Sequence, residues 1–208
     1  MKPLFLALSF YSLSAVSLPL FAADAAFDPD DYTSLGAFTV NSGQTIDINT
    51  DTGAITGAVT LNSSTTALDG GNVSYRIFTF DSINITTGAT VTISGSTPLA
   101  LLSLEDIALG ADLSYHGADG VDGTDGNTGA LHDGADGAAG GFLALIADDS
   151  ITLTANISVD GGDGGDGGDS DLTNPASGLA GDGAAAGRVT IAAHTFTLTG
   201  NLSAAGGD

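Results

Sequence analysis

Residues 83–95 (INITTGATVTISG), 105–117 (EDIALGADLSYHG), 149–161 (DSITLTANISVDG) and 194–206 (HTFTLTGNLSAAG) superpose as four rows of one repeat, at offsets of 22, 44 and 45 residues. Ile85, Ile107, Ile151 and Phe196 share one column; Val91, Leu113, Ile157 and Leu202 share another; a glycine closes every row. Thr90, Asp112, Asn156 and Asn201 fill a turn column, where Asp and Asn tolerate left-handed backbone and cap it locally. To the left, Phe80, Leu102, Ile146 and Ile191 align, as do Phe78, Ala100, Ala144 and Val189. A further row, residues 38–49, matches residues 83–94 at an offset of 45.

Within a row apolar residues alternate with Thr, Ser or Asn, the period of a half-buried strand. One row cannot bury its apolar face alone, whereas stacked rows can, Ile on Ile and Leu on Leu. An antiparallel sandwich has no need of a register held in multiples of 22. The expected fold is therefore all-β, a right-handed parallel β-helix of about 22 residues per coil.

The 44- and 45-residue offsets each contain one coil plus an insertion. The extra residues, about 118–141 and 162–187, are Gly/Asp-rich, and both follow the closing glycine of a row. They are expected to leave the coil at one corner, as lateral excursions on the face where repeat proteins collect binding loops. Glycine at every third position fits an extended left-handed helix of three residues per turn, with Asp119, Asp122 and Asp125 along one edge. The simplest role for these aspartates is to keep glycine-rich loops solvated and apart.

The first residues, one lysine, an apolar run and the Ala23-Asp24-Ala25 site, read as a cleaved secretion signal over residues 1–25, leaving 26–208 as one domain. No later segment has the roughly 18 apolar residues of a membrane span. There is no cysteine, so stability in an exported protein must come from packing or metal ions. Beyond the leader the cations are Arg76 and Arg188, against a formal net charge of −22 for the chain. Such a surface repels nucleic acid and anionic polymers.

For metal chemistry, residues 164–169 follow part of the calcium nonapeptide G-G-x-G-x-D-x-U-x, which names Asp163, Asp166, Asp169 and Asp171 as candidate calcium ligands. The apolar position is Asp171, however, and no tandem copy follows. His116, His132 and His194 are too scattered for a metal set. Asp148-Asp149 is an adjacent carboxylate pair at a turn where Asp is an ordinary residue, with no cationic substrate clamp nearby. No catalytic residue is assigned.

The segment YRIFTFDSINITTGATVTISGSTPLALLSLEDIALGADLSYHG, residues 75–117, resembles the opening coils of secreted bacterial glycine-rich, pectate-lyase-like β-helix surface proteins. The likeness runs over about residues 33–208 and departs in the aspartate content of the inserts. It implies a cell-surface or matrix role of adhesin type, with glycans or cell-surface components as partners. The other expectation from this fold is a polysaccharide lyase or hydrolase whose active site lies in coils beyond this sequence. The last residues, NLSAAGGD, stop where the preceding row enters its insert. An N-terminal piece of a longer protein, or head-to-tail self-association through the open edge, is expected from that.

Overall fold

The computed structural model describes residues 27–62, 64–68, 73–124, 133–168 and 179–208. The expected leader lies outside them. Among the described residues the chain is all-β apart from one 3-10 turn, Pro29–Asp31. Among the described residues no helix is long and apolar enough to cross a membrane.

Three strands recur in fixed order. The first round is β1 (Phe38–Val40), β2 (Thr45–Asn49) and, after a detour through β3 (Ala54–Gly57) and β4 (Thr65–Leu68), β5 (Ser74–Phe80). The second is β6 (Ile83–Ile85), β7 (Thr90–Ser94) and β8 (Leu99–Ser103). The third is β9 (Ile107–Leu109), β10 (Leu113–Ser114) and β11 (Phe142–Ala147), and the fourth β12 (Ser150–Leu153), β13 (Ile157–Ser158) and β14 (Arg188–Ala192). A last partial round holds β15 (Thr195–Leu198) and β16 (Leu202–Ser203).

Successive rounds pair in parallel, in the orders β1-β6-β9-β12-β15, β2-β7, β10-β13-β16 and β5-β8-β11-β14. Among the described strands only β3 on β2 and β4 on β5 run antiparallel. These two strands cover the first-round edges of their sheets, with Ile55 of β3 wholly buried.

Every detour leaves at one corner, between the second and third strands of a round. Residues 50–73 do so in the first round, 115–141 in the third and 159–187 in the fourth. The second round has only a short turn there, residues 95–98. The expected common exit for both glycine-rich inserts is what the strand order gives.

Several columns hold and others shift. Phe38 pairs with Ile83, Ile107 with Ile151, Ile151 with Phe196, and Leu113 with Ile157 and then Leu202, as the repeat predicts. Ile107, however, pairs with Ile83 and not with Ile85. The turn after β6 is longer than the one after β9: Ala89 N–H closes on Thr86 O at 3.1 Å with Gly88 at φ 85°, while β9 reaches β10 through residues 110–112 alone.

The leftward columns are corrected by one residue at each end. Leu102 pairs with Thr79, not Phe80, and Ile146 with Ala192, not Ile191. Ala100 pairs with Ile77, not Phe78, and Ala144 with Thr190, not Val189. The cause is burial of both faces: all five residues of β8 are buried, so apolar residues occupy every position and alternation carries no phase. Phe78, Leu101 and Leu145 pack inward, with Phe38 stacked on Phe80 at 4.6 Å. Ile77, Ala100, Leu102, Ala144 and Ile146 face outward, where Phe27, Tyr32 and Tyr75 cover them. Phe27 meets Tyr75 edge to face at 5.3 Å.

A sheet covered on both sides should be equally sensitive on both. Leu101→Ala and Leu102→Ala are each expected to cost about 2–5 kcal/mol in urea unfolding. A loss below about 1 kcal/mol at Leu102 alone would show that its outer face is not covered.

Candidate functional site

The two glycine-rich detours and the chain's last residues pack into one bundle of extended segments. We name them a (residues 117–124), b (133–141), c (160–168), d (179–187) and e (205–208). Residues 125–132 and 169–178, which connect a to b and c to d, are not among those described.

Hydrogen bonds join neighbouring segments at every third residue. Gly117, Gly120 and Gly123 of a donate N–H to the carbonyls of Asp160, Asp163 and Asp166 on c. Gly134, Gly137 and Gly140 of b donate likewise to Leu179, Asp182 and Ala185 on d. Residue numbers rise together across both pairs, so a, c and e run one way, and b and d run together. Between the two layers numbers rise on one segment and fall on the other. Ala135 and Ala138 of b donate to Val121 and Ala118 of a, and Gly162 and Gly165 of c donate to Ala138 and Ala135 of b. A three-residue period with no bond inside a segment is that of the polyproline II helix. The expected three-fold helix is therefore present, assembled in two antiparallel layers.

Segment spacing follows from the sheets. Segments a and c leave successive rounds, whose strands lie about 4.7–4.9 Å apart. Side chains cannot fit between helices that close. A Cβ built on Gly162 would lie 2.1 Å from Ala118 O, and one on Gly165 2.3 Å from Val121 O. Glycine is a contact residue here, and the Gly-x-x period records which neighbour each residue faces.

The aspartates have a different role from the one expected of solvating spacers. Asp119, Asp122, Asp136 and Asp163 each accept, through the side chain, the backbone N–H of the counterpart in the next round. Asp163 N–H donates to Asp119 Oδ1 at 3.1 Å, Asp166 to Asp122 at 3.0 Å, and Asp182 to Asp136 at 2.9 Å. Asp208 N–H donates to Asp163 Oδ1 at 2.9 Å, so Asp163 gives and takes in the same ladder. The rule extends into the coil corners, where Asn156 N–H meets Asp112 at 2.8 Å and Asn201 N–H meets Asn156 at 3.1 Å. Asp160 sits where c leaves the strands and accepts from Ala205 N–H at 2.6 Å, Ser203 Oγ at 2.7 Å and Ser158 Oγ. The Ser158 hydroxyl, then the Ala205 amide and the Ser203 hydroxyl, hold its carboxyl down at about 2.

Of the proposed calcium ligands, Asp163 and Asp166 lie on c within this ladder, and Asp169 and Asp171 lie outside the described residues. Among the described residues no three His, Asp or Glu side chains are grouped to hold a metal ion. His116 is half-exposed, 3.8 Å from Asp160. His194 contacts Asp148 O in the preceding round, and His132 lies outside the described residues. Asp148 and Asp149 occupy the turn between β11 and β12, as expected. Partial burial, then the carboxylates of Asp30, Asp28 and Asp149, push the Asp148 carboxyl above its ordinary range. Arg188 lies 5.1 Å from the Phe142 ring centroid and donates to Tyr75 Oη. Arg76 donates to the carbonyls of Thr50 and Asp51 at 2.9 and 2.8 Å, pinning the first-round detour.

Tyr115 is the junction that sequence reasoning missed. Its hydroxyl donates to Thr97 O at 2.7 Å and lies 3.0 Å from Thr50 Oγ1, tying the start of a to the two preceding rounds. Burial pushes this phenol up. Its ring needs the bare backbone of Gly141, where a Cβ would come within 2.2 Å. Beside it, over the short second-round turn, opens a groove of about 580 Å³ lined by Pro98, Tyr115, His116, Ala118, Ala139 and Phe142.

Two outcomes follow. Gly162→Ala is expected to cost more than about 2 kcal/mol, against less than about 1 kcal/mol for Gly206→Ala, where the nearest atom to a new Cβ is 3.3 Å away. Equal costs in denaturant unfolding would contradict close packing of c. A depressed folded-state pKa stabilises above the unfolded value of about 3.9 and loses that contribution as the carboxyl protonates. Stability should thus fall between about pH 4 and pH 2, and Asp160→Ala should flatten that fall, as followed by circular dichroism.

No protein-family model matches this chain, and no curated protein and no solved structure matches it either, so its function rests on its own geometry.

Proposed function

We propose that this chain is a non-enzymatic, exported structural or adhesin-like protein. Its parallel sheets form a right-handed β-helix of about 22 residues per coil, with the glycine–aspartate bundle standing on one flank. The observation that carries this reading is where the carboxylates are spent. Asp112, Asp119, Asp122, Asp136, Asp160 and Asp163 accept backbone N–H groups from the next round. A catalytic carboxylate needs a reacting partner and a tuned proton affinity in a cleft; these oxygens are committed to rung-to-rung bonds. The parallel register and the single exit corner support the helical reading, and the apolar leader supports export to the cell surface or matrix, with glycans as the partners in view.

The test incubates the purified chain with neutral and acidic polysaccharides and follows new reducing ends and unsaturated uronates. No turnover is expected, with retention on glycan or cell surfaces. Sustained cleavage would replace this reading with a carbohydrate-active enzyme. In the same preparation, the stacked carboxylates repel one another, so added sodium chloride should raise Tm. Calcium and magnesium at equal ionic strength should raise it alike if screening is the cause. A rise specific to calcium that is lost when Asp163 and Asp166 are changed to asparagine would support the calcium site at Asp163, Asp166, Asp169 and Asp171.

A further inference from the structure

The hydrogen-bond rule of the bundle leaves a position open beside b. Segment b lies between a on one side and d in the next round, and accepts N–H from c. The second round has only its short turn, residues 95–98, so among the described residues no segment stands beside b on the side away from d. The backbone groups such a segment would engage have no partner among the described residues. They are the N–H groups of Ala118 and Val121 on a, and on b the carbonyls of Asp136 and Ala139 with the Asp136 N–H. The equivalent groups one round later are all engaged: Gly162 and Gly165 N–H bond the carbonyls of Ala138 and Ala135, the Asp182 and Ala185 carbonyls take N–H from Gly137 and Gly140, and Asp182 N–H meets Asp136 Oδ1. Ala118, Val121, Asp136 and Ala139 are exposed, Val121 to 76%. The 580 Å³ groove lies at the root of this vacancy, between Pro98, Ala118 and Ala139.

We propose that this groove and edge bind a glycine-rich strand of a partner protein in polyproline II conformation, laid parallel to b as one more member of the bundle. The interface between b and d already shows the bonds such a strand would make, so the site continues an existing contact. Period selects the partner. The open groups recur every three residues, about 9 Å at ~3.1 Å per residue. A β-strand presents its edge groups every two residues, about 6.6–6.8 Å, and cannot stay in register. Size selects it further. The donor glycines of b admit no side chain, since a Cβ on Gly137 would lie 2.1 Å from Gly162 O. The incoming strand would meet the Ala118 carbonyl in the same way, so every third residue must be glycine. A carboxamide or hydroxyl at another position would take the Asp136 N–H, and a neutral strand avoids repulsion from a chain of net charge −22. This names a partner class beyond the structural reading, and its failure would leave that reading intact.

The probe is a capped neutral peptide of four Gly-Asn-Ser triplets, titrated into the full chain and followed by amide NMR shifts. Shifts are expected at Ala118, Val121 and Asp136, and replacing each peptide glycine by alanine should abolish them. Val121→Pro deletes one donor while keeping a backbone that polyproline II accepts and a carbonyl for Ala135. It should weaken the peptide at least about tenfold with Tm unchanged, the loss of one edge hydrogen bond in a repeating set. Absence of shifts at millimolar peptide, equal binding of the alanine peptide, or unchanged affinity in a folded Val121→Pro chain would each overturn the proposal. Dimerisation of the chain alone that Val121→Pro abolishes would overturn it too, by making a second copy the occupant.

Discussion

The bond from a backbone amide in one round to an oxygen in the next organises every part of this chain. In the strands that oxygen is a carbonyl, and the register passes from Phe38 to Ile83, Ile107, Ile151 and Phe196 without a break. In the bundle the acceptor alternates between carbonyl and carboxylate. Segment c shows the outcome: Gly161, Gly162 and Asp163 donate to Ala205 O, Ala138 O and Asp119 Oδ1, and Gly164, Gly165 and Asp166 repeat the cycle. A segment without strand or helix thereby satisfies its amides as completely as a sheet does, which a buried backbone requires. The aspartate in the triplet supplies the third acceptor, beside the carbonyls of e and b.

Much of the strand architecture was legible because one-sided burial leaves a period of two. The match of residues 38–49 to 83–94 survives intact, as do the columns through Leu113, Ile157 and Leu202. The errors fall where that signal disappears. Between β6 and β9 the first round-to-round match looked continuous because Gly88 and Gly110 align, yet the turn between them changes length, and Ile83 takes the place expected of Ile85. In the β5-β8-β11-β14 sheet both faces are covered, and Leu99, Ala100, Leu101 and Leu102 are all buried. One-residue slips there cost nothing in pattern and move a side chain from one face to the other.

The bundle was half legible. Glycine every third residue announced a three-fold helix, but the partners of each edge are non-local, and triplets read alone look the same solvated or packed. The missing signal lay in comparison across rows: Asp119 and Asp163, Asp122 and Asp166, stand 44 residues apart, the spacing of the strands themselves. Tyr115 left no periodic trace, since it is a single aromatic at the junction, answered only by Gly141.

Two periods meet at that junction. Strands repeat every two residues and the bundle every three, and each fixes its own spacing along the chain. What they share is the distance between rounds, about 4.8 Å, which the sheets impose and the bundle inherits. In the packed bundle the glycine positions face a neighbouring backbone too closely for a Cβ, 2.1 Å from Ala118 O at Gly162, so the glycine content of the detours follows from their packing. The dependence also runs back. Gly117 and Gly141 bracket Tyr115, whose hydroxyl reaches Thr50 and Thr97, so closing the first pair of segments clamps three rounds together at the corner where the chain most often departs. The first-round detour, of ordinary composition, turns back to pair with its own round as β3 on β2 and β4 on β5, whereas a detour of Gly-x-Asp triplets lengthens each round's contact with the next.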